Sequence, residues 1–138
     1  MIQIKHRAKS LDDKKWVIGY YAMWQNEHVI FPLTPIGRMR KIDPNTVGVF
    51  SGNSFNGKEE CTGDIILMKW QEAARGRYFQ SDDAWCNYEE RVIVFYEGGA
   101  FRYKSIQTGK CVNIRKNSEC IIIGNIYDNS ELIKSPTN

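Results

Sequence analysis

The stretch between residues 42 and 66 constrains the fold more than any other part of the chain. It places turn-forming residues, Asp43-Pro44-Asn45, Asn56-Gly57 and Gly63-Asp64, between short apolar runs. Asn-Gly accepts a positive φ at low cost, which a tight reversal between strands requires. The pattern therefore predicts short strands joined by tight turns, and Asp64 is expected to cap backbone amides at the start of a strand.

The rest of the chain follows the same pattern. Runs rich in β-branched and aromatic residues predict strands at 2–6, 16–21, 28–31, 46–50, 65–70, 91–96, 100–103 and 121–123. Gly98-Gly99 predicts a hairpin, and residues 129–133 predict a short terminal helical turn. Residues 70–75 are expected to form a turn or a frayed helix, followed by a polar loop over 75–90.

Residues 32–45 contain three prolines and a glycine, which predicts a long connection and the best internal boundary. The expected division is an amino-terminal strand section over 1–44, built as a meander, and a second part over 45–138. The fold class predicted from the pattern is mainly β.

Three blocks of sequence resemble the YopX family of small phage and prophage proteins. The blocks are Ile4-Lys5-His6-Arg7-Ala8, the stretch from Asp43 to Ile65, and Ile123-Gly124-Asn125-Ile126-Tyr127-Asp128-Asn129-Ser130-Glu131-Leu132. The chain departs from the family pattern at His6, Thr62 and Ser130. The resemblance implies one YopX-like domain over 1–138, whose 45–138 part is a small SH3-like barrel, and it implies no established activity.

Composition agrees with one ordinary domain. A chain of 138 residues with 42% hydrophobic and 25% charged residues falls in the globular range. No apolar run approaches the roughly 20 residues that cross a bilayer, and the start of the chain lacks a signal-peptide pattern. We therefore expect a cytoplasmic protein with no membrane partner, and the resemblance implies that the cell is a bacterial host.

Catalytic and metal sites are not predicted. Cys61, Cys86, Cys111 and Cys120 are far apart without a CxxC pair, so we expect separate thiols and neither metal nor cofactor. The two histidines, His6 and His28, lie in strand-like runs, although the sequence leaves open that one of them meets a cysteine in space.

Carboxylate pairs are the other candidate for acid–base or cation chemistry. Asp82-Asp83 and Glu89-Glu90 lie in the expected polar loop and could face each other across it. Neighbouring carboxylates in a strand point to opposite faces, so we interpret them as solvated charges. The prediction is that the protein is not an enzyme.

Two kinds of binding stay open. We rank a protein-interaction or assembly module first, with a protein partner or a second copy, because four Trp and seven Tyr exceed what a small core needs. A nucleic-acid-binding protein is the alternative, because cations and aromatic rings occur together, although a net charge of +3 is low. The candidate binding surface comprises Arg38, Arg40, Lys41, Arg75, Arg77, Tyr78, Phe79 and Trp85.

Overall fold

A computed structural model describes residues 4–33, 37–73 and 85–133, and these are almost entirely strands and turns. The strands are β1 (His6–Lys9), β2 (Trp16–Trp24), β3 (Glu27–Pro32), β4 (Arg40–Lys41), β5 (Gly48–Phe55), β6 (Lys58–Cys61), β7 (Asp64–Ala73), β8 (Trp85–Glu97), β9 (Ala100–Ser105), β10 (Cys111–Val112) and β11 (Glu119–Asn125). Two short 3-10 helices, Pro44–Thr46 and Ser130–Ile133, complete the elements. The prediction of a mainly β protein is confirmed.

The strands form a six-stranded sheet in the order β4-β3-β2-β1-β5-β6 and a five-stranded sheet in the order β10-β9-β8-β7-β11. The chain divides into two compact units. Unit 1 contains residues 1–54 and 59–62, and unit 2 contains residues 55–58 and 63–138. The tip of the β5–β6 hairpin thus belongs to unit 2.

Unit 1 contains the predicted meander of β1, β2 and β3. Ala8, Ile30 and Ile42 are buried at its centre, with Val17 and Tyr21 packed against them. The end of β4 also meets β1, because Ser10 forms an isolated bridge with Ile42. The first strand begins at His6, which pairs with Gly19 of β2, and residues 4–5 are not part of a strand. Residues 2–3 of the predicted strand lie outside the described residues.

Unit 2 is built around β7 and β8, which are paired along their length. Ile66, Val92 and Val94 are buried on one face, where Phe101 and Ile122 pack against them. The predicted β8–β9 hairpin is confirmed, and its Gly98-Gly99 turn has φ values of +64° and +82°. The predicted terminal turn is the 3-10 helix at Ser130–Ile133.

The two glycine turns predicted from the sequence have the positive φ angles on which the prediction was based. Asn56 and Gly57 have φ of +51° and +83° between β5 and β6, which suits a two-residue hairpin loop. Gly63 has φ of +91° and lies just before β7. A second turn of this kind, Gln25-Asn26, joins β2 to β3.

Two predictions between residues 70 and 90 are wrong where the structure describes the chain. β7 continues through Gln71 to Ala73, and β8 already begins at Trp85. Pairing across the two strands, with Trp70 opposite Tyr88 and Gln71 opposite Asn87, outweighs the weak local helix preference of this segment. The short strands β4, β6 and β10 carry little apolar alternation and were not predicted.

A search of the described residues for a helix long and apolar enough to cross a membrane finds none.

Candidate functional site

One face of unit 1 carries an exposed row of large apolar side chains. In β2 the alternation of a strand sends Val17 and Tyr21 to the core and Ile18, Tyr20 and Trp24 to the other face. Ile18 is 44% exposed, Tyr20 39% and Trp24 51%. Phe31 of β3 pairs with Tyr20 on the same face. We call Ile18, Tyr20, Trp24 and Phe31 the aromatic face.

The aromatic face is arranged by contacts between its own members. The rings of Trp24 and Phe31 meet edge to face with their centroids 6.4 Å apart, a favoured geometry for aromatic pairs. Beside them, Glu27 and Lys41 form an ion pair with an Nζ–Oε2 distance of 3.0 Å. The charges at this border neutralise each other, so the aromatic face itself is uncharged.

A row of cations lies next to the aromatic face, on β1 and at the residue just before it. Residues 5, 7 and 9 alternate along the chain, so Lys5, Arg7 and Lys9 lie on one side of the sheet. Arg7 is paired with Ile18 and Lys9 with Trp16 across the β1–β2 ladder, which places the cations on the side of the aromatic face. We call Lys5, Arg7 and Lys9 the cation row.

Each member of the cation row lies over an aromatic ring. The Lys5 Nζ lies 4.6 Å from the centroid of the Phe50 ring. The Arg7 Cζ and the Lys9 Nζ lie 4.9 Å and 5.4 Å from that of Trp16. Their long stems pack on the rings and the three residues are half-buried, so the cations are held in place at the surface.

A depression of about 810 Å³ in unit 1 joins residues from several strands. Its lining includes Lys5, Trp16 and Ile18 together with Arg38 and Arg40. Two of the predicted binding residues, Arg38 and Arg40, therefore line the same depression as Lys5 of the cation row and Ile18 of the aromatic face.

Arg40 is also tied to its own unit. Its Nη2 donates to the Ser10 hydroxyl at 3.1 Å and to the Asp13 carboxylate at 3.2 Å. The Lys15 backbone N–H and then Arg40 hold the pKa of the Asp13 carboxyl below its usual range. Lys41, the third predicted residue of this segment, instead pairs with Glu27.

The other predicted binding residues belong to unit 2. Trp85 starts β8 and is 57% exposed. It lines a shallow depression of about 660 Å³ with the side chains of Gln71 and Asn87, whose amides are bonded at 2.9 Å. Arg75, Arg77, Tyr78 and Phe79 lie outside the described residues.

Unit 2 has an aromatic cluster of its own, on the β7–β8 ribbon. Trp70 and Tyr88 stack with centroids 5.7 Å apart, and the Arg115 guanidinium lies 4.3 Å from the centroid of the Trp70 ring. Glu72 accepts from both the Trp70 indole N–H and Arg115, each at 3.1 Å. Glu72 thus pairs with the Arg115 charge and accepts the Trp70 indole N–H, so we interpret this cluster as one that stabilises the β7–β8 ribbon.

The four cysteines, all among the described residues, form no disulfide. All four cysteines are free, with Cys61 buried and both Cys86 and Cys111 exposed. Electrostatic repulsion by Cys86, followed by desolvation and by the charge of Glu72, raises the pKa of the Tyr88 hydroxyl. Within the described ranges no three His, Cys, Asp or Glu side chains are grouped as metal ligands.

Both histidines flank Tyr21 in unit 1. The Tyr21 hydroxyl is hydrogen-bonded to the His28 Nδ1, and the His6 ring centroid lies 5.7 Å from that of Tyr21. Burial lowers the pKa of His6.

The carboxylates Glu89 and Glu90 alternate along β8, opposite Lys69 and Met68 respectively, so they point to different faces as expected.

Sequence reasoning missed both the cation row and the aromatic face. The signal was present as a period of two in the sequence, over Lys5, Arg7 and Lys9 and again over Trp16, Ile18, Tyr20 and Trp24. Residues 17, 19 and 21 are apolar as well, which hides the alternation on β2.

Comparison with known protein families shows the family of this chain. The family described as YopX protein matches residues 42–134. The chain belongs to the YopX family. The resemblance of its first block, Ile4 to Ala8, lies before the matched range. Neither a curated protein nor a solved structure matches this YopX chain.

Proposed function

We propose that this YopX chain is a non-catalytic accessory protein of a phage or prophage, which binds a protein partner through the aromatic face. Its site of action is the cytoplasm of the bacterial host. The small SH3-like barrel that the resemblance implied remains a prediction within this proposal.

The observation that carries the proposal is the exposure of Ile18, Tyr20, Trp24 and Phe31 side by side on one sheet face. Large exposed apolar patches on small domains mark interaction sites, and Trp and Tyr are enriched among residues that dominate binding energy. Covering the exposed half of a side chain such as Trp24 contributes on the order of 1 kcal/mol. The four side chains together form the centre of a small interface.

A second candidate is nucleic-acid binding, which the cation row and its aromatic rings favour. Single-strand binders combine cations for phosphates with ring faces for stacked bases. In this chain the rings beneath the cation row, Phe50 and Trp16, are already occupied by Lys5, Arg7 and Lys9. In unit 1 the exposed rings of Tyr20, Trp24 and Phe31 lie on the uncharged aromatic face, so we rank the protein partner first.

The experiment compares variants of the aromatic face with a matched control. The partner is captured with wild-type protein from host lysate, identified, purified and then titrated by calorimetry. We expect the double substitution Tyr20→Ser and Trp24→Ser to weaken binding at least about a hundredfold, as loss of two central anchors does. Met23→Ser, which changes a 55% exposed side chain on the opposite side of the same strand, serves as the control and should bind normally.

Two results would contradict the proposal. One is a partner that binds the Tyr20 and Trp24 double variant as tightly as wild type while both proteins are folded by circular dichroism. The other is tight single-strand nucleic-acid binding at physiological salt that charge reversal of the cation row abolishes, which would promote the second candidate. Sedimentation of the purified chain tests whether the partner is a second copy.

A further inference from the structure

We infer that the partner's contact segment carries a row of acidic side chains beside an apolar row, as one face of an acidic amphipathic helix does. This inference rests on the proposed function, because it names the chemistry of the partner that covers the aromatic face.

The two rows of this surface run next to each other. Arg7 is directly opposite Ile18, and Lys9 is directly opposite Trp16. Neighbouring strands lie about 4.8 Å apart, so a cation and an apolar side chain are adjacent all along the β1–β2 ladder. A partner that covers Ile18 and Tyr20 therefore brings its own flanking side chains against the cation row.

Lys5, one member of the cation row, already holds a carboxylate of the chain. Lys5 forms an ion pair with Glu59 of β6, a side chain that is 53% exposed. Lys5 keeps this partner while it lies over the Phe50 ring, so ring contact and carboxylate binding are compatible for a member of the row. A partner's carboxylates would meet Arg7 and Lys9 in the same manner.

Charge placement favours a protein segment over a nucleic acid. β2 runs for nine residues from Trp16 to Trp24, about 26 Å at a rise of about 3.3 Å per residue. The cations flank only its first half, whereas Trp24 and Phe31 at the other end are bordered by the neutral Lys41–Glu27 pair. A phosphate backbone has charge along its whole length, but a helix can be acidic at one end and apolar throughout.

The depression near Arg38 adds a further cation to this surface. It joins Lys5, Trp16 and Ile18 to the exposed guanidinium of Arg38. An acidic side chain at the end of the partner's apolar row would have Arg38 as a further cation. The surface thus defines the direction in which such a helix lies on it, because only one end meets the cations.

The test uses three synthetic helical peptides as probes. The first has a leucine row flanked at one end by glutamates, the second has glutamine in place of each glutamate, and the third has lysine there. Fluorescence anisotropy with wild-type protein should show tightest binding for the glutamate peptide, about tenfold weaker binding for the glutamine peptide and weakest binding for the lysine peptide.

The second part of the test reverses the charge of two residues of the cation row. Arg7→Glu with Lys9→Glu should lose the glutamate peptide and gain the lysine peptide, each by about tenfold or more. Lys14→Glu with Lys15→Glu, in the exposed β1–β2 connection, makes the same charge change outside the row and should leave the peptide order unaltered. The gain of the lysine peptide shows that the reversed variant is folded and functional.

The outcomes separate the inference from the proposed function. If all three peptides bind equally and Tyr20→Ser with Trp24→Ser abolishes binding, the aromatic face stands and the acidic row is overturned. If no peptide binds and a purified partner still requires Tyr20 and Trp24, the inference is again overturned alone. If a single-stranded oligonucleotide outcompetes the glutamate peptide and needs Arg7 and Lys9, a polyanion is the ligand and the inference is overturned.

Discussion

Trp70 and Tyr88 face each other across the β7–β8 ladder, and their rings are stacked within 17° of parallel. The two residues are eighteen positions apart in the chain, with the ends of both strands between them. Their contact, together with the Arg115 guanidinium on the Trp70 ring, stabilises a ribbon at a point where local preference favours a turn.

We expect Trp70→Ala and Tyr88→Ala each to lower the free energy of unfolding by about 1–2 kcal/mol, because an aromatic cross-strand pair and its buried area are lost. Urea unfolding measures the effect, and the double variant should be less destabilised than the sum of the two. Trp85→Ala is the control, since its side chain is mostly exposed. Strict additivity would show that the two rings do not act as a pair.

Replacement of Gly63 by Val should be more destabilising than replacement of Gly57 by Val. Both glycines have positive φ, which costs a β-branched residue on the order of 1 kcal/mol or more. A Cβ at Gly57 meets no atom within 4 Å, whereas one at Gly63 lies 3.1 Å from the Tyr127 ring. Thermal unfolding of both variants measures the difference, with Gly57→Asn as the tolerated control. Equal melting temperatures for the two Val variants would contradict this account.

His6 should make unit 1 less stable in mild acid. Burial lowers its pKa in the folded protein below the usual 6.5. The unfolded chain therefore binds a proton at this site as the pH falls below about 6.5, while the folded chain resists it, and stability decreases until the folded pKa is passed. His6→Phe removes this dependence. Urea unfolding of both proteins at about pH 7.5 and pH 5.5 tests it, and parallel losses in the two would argue against His6.

Ser51 should be important for stability because of Glu60. The Glu60 side chain is fully buried in unit 1, and its Oε2 accepts from the Ser51 hydroxyl at 3.0 Å. Removing the Ser51 hydroxyl leaves the buried Glu60 Oε2 without this hydrogen bond, which costs about 1–3 kcal/mol of stability. We expect Ser51→Ala to be destabilised by that amount in urea unfolding. Ser54→Ala, at an exposed position of the same strand, should change stability by less than about 0.5 kcal/mol.

Turn chemistry could be predicted from the sequence because it is local. Asn56-Gly57, Gly63 and Gly98-Gly99 all have positive φ, and each lies beside a strand as expected. The conformational preference of Gly and Asn is a property of one or two residues, so it survives in any tertiary context. The alternation that places Lys5, Arg7 and Lys9 on one face is local as well, although the cation row was not predicted from it.

The extent of the strands depended on contacts that sequence does not display. Lys58–Cys61 has no apolar alternation, yet it forms β6 beside β5. Gln71 to Ala73 is strand because β8 lies opposite it. In such segments the pairing partner supplies the hydrogen bonds and side-chain contacts, and the partner is distant along the chain.

Which face of β2 stayed exposed was decided by tertiary structure alone. Trp16, Ile18 and Tyr20 are as apolar as Val17 and Tyr21, so the sequence determined two apolar faces and did not rank them. Burial of Ala8, Ile30 and Ile42 against Val17 and Tyr21 made one face the core. The other face stayed exposed with its cations, because a sheet places alternate residues on opposite sides and only long-range packing determines which side is covered.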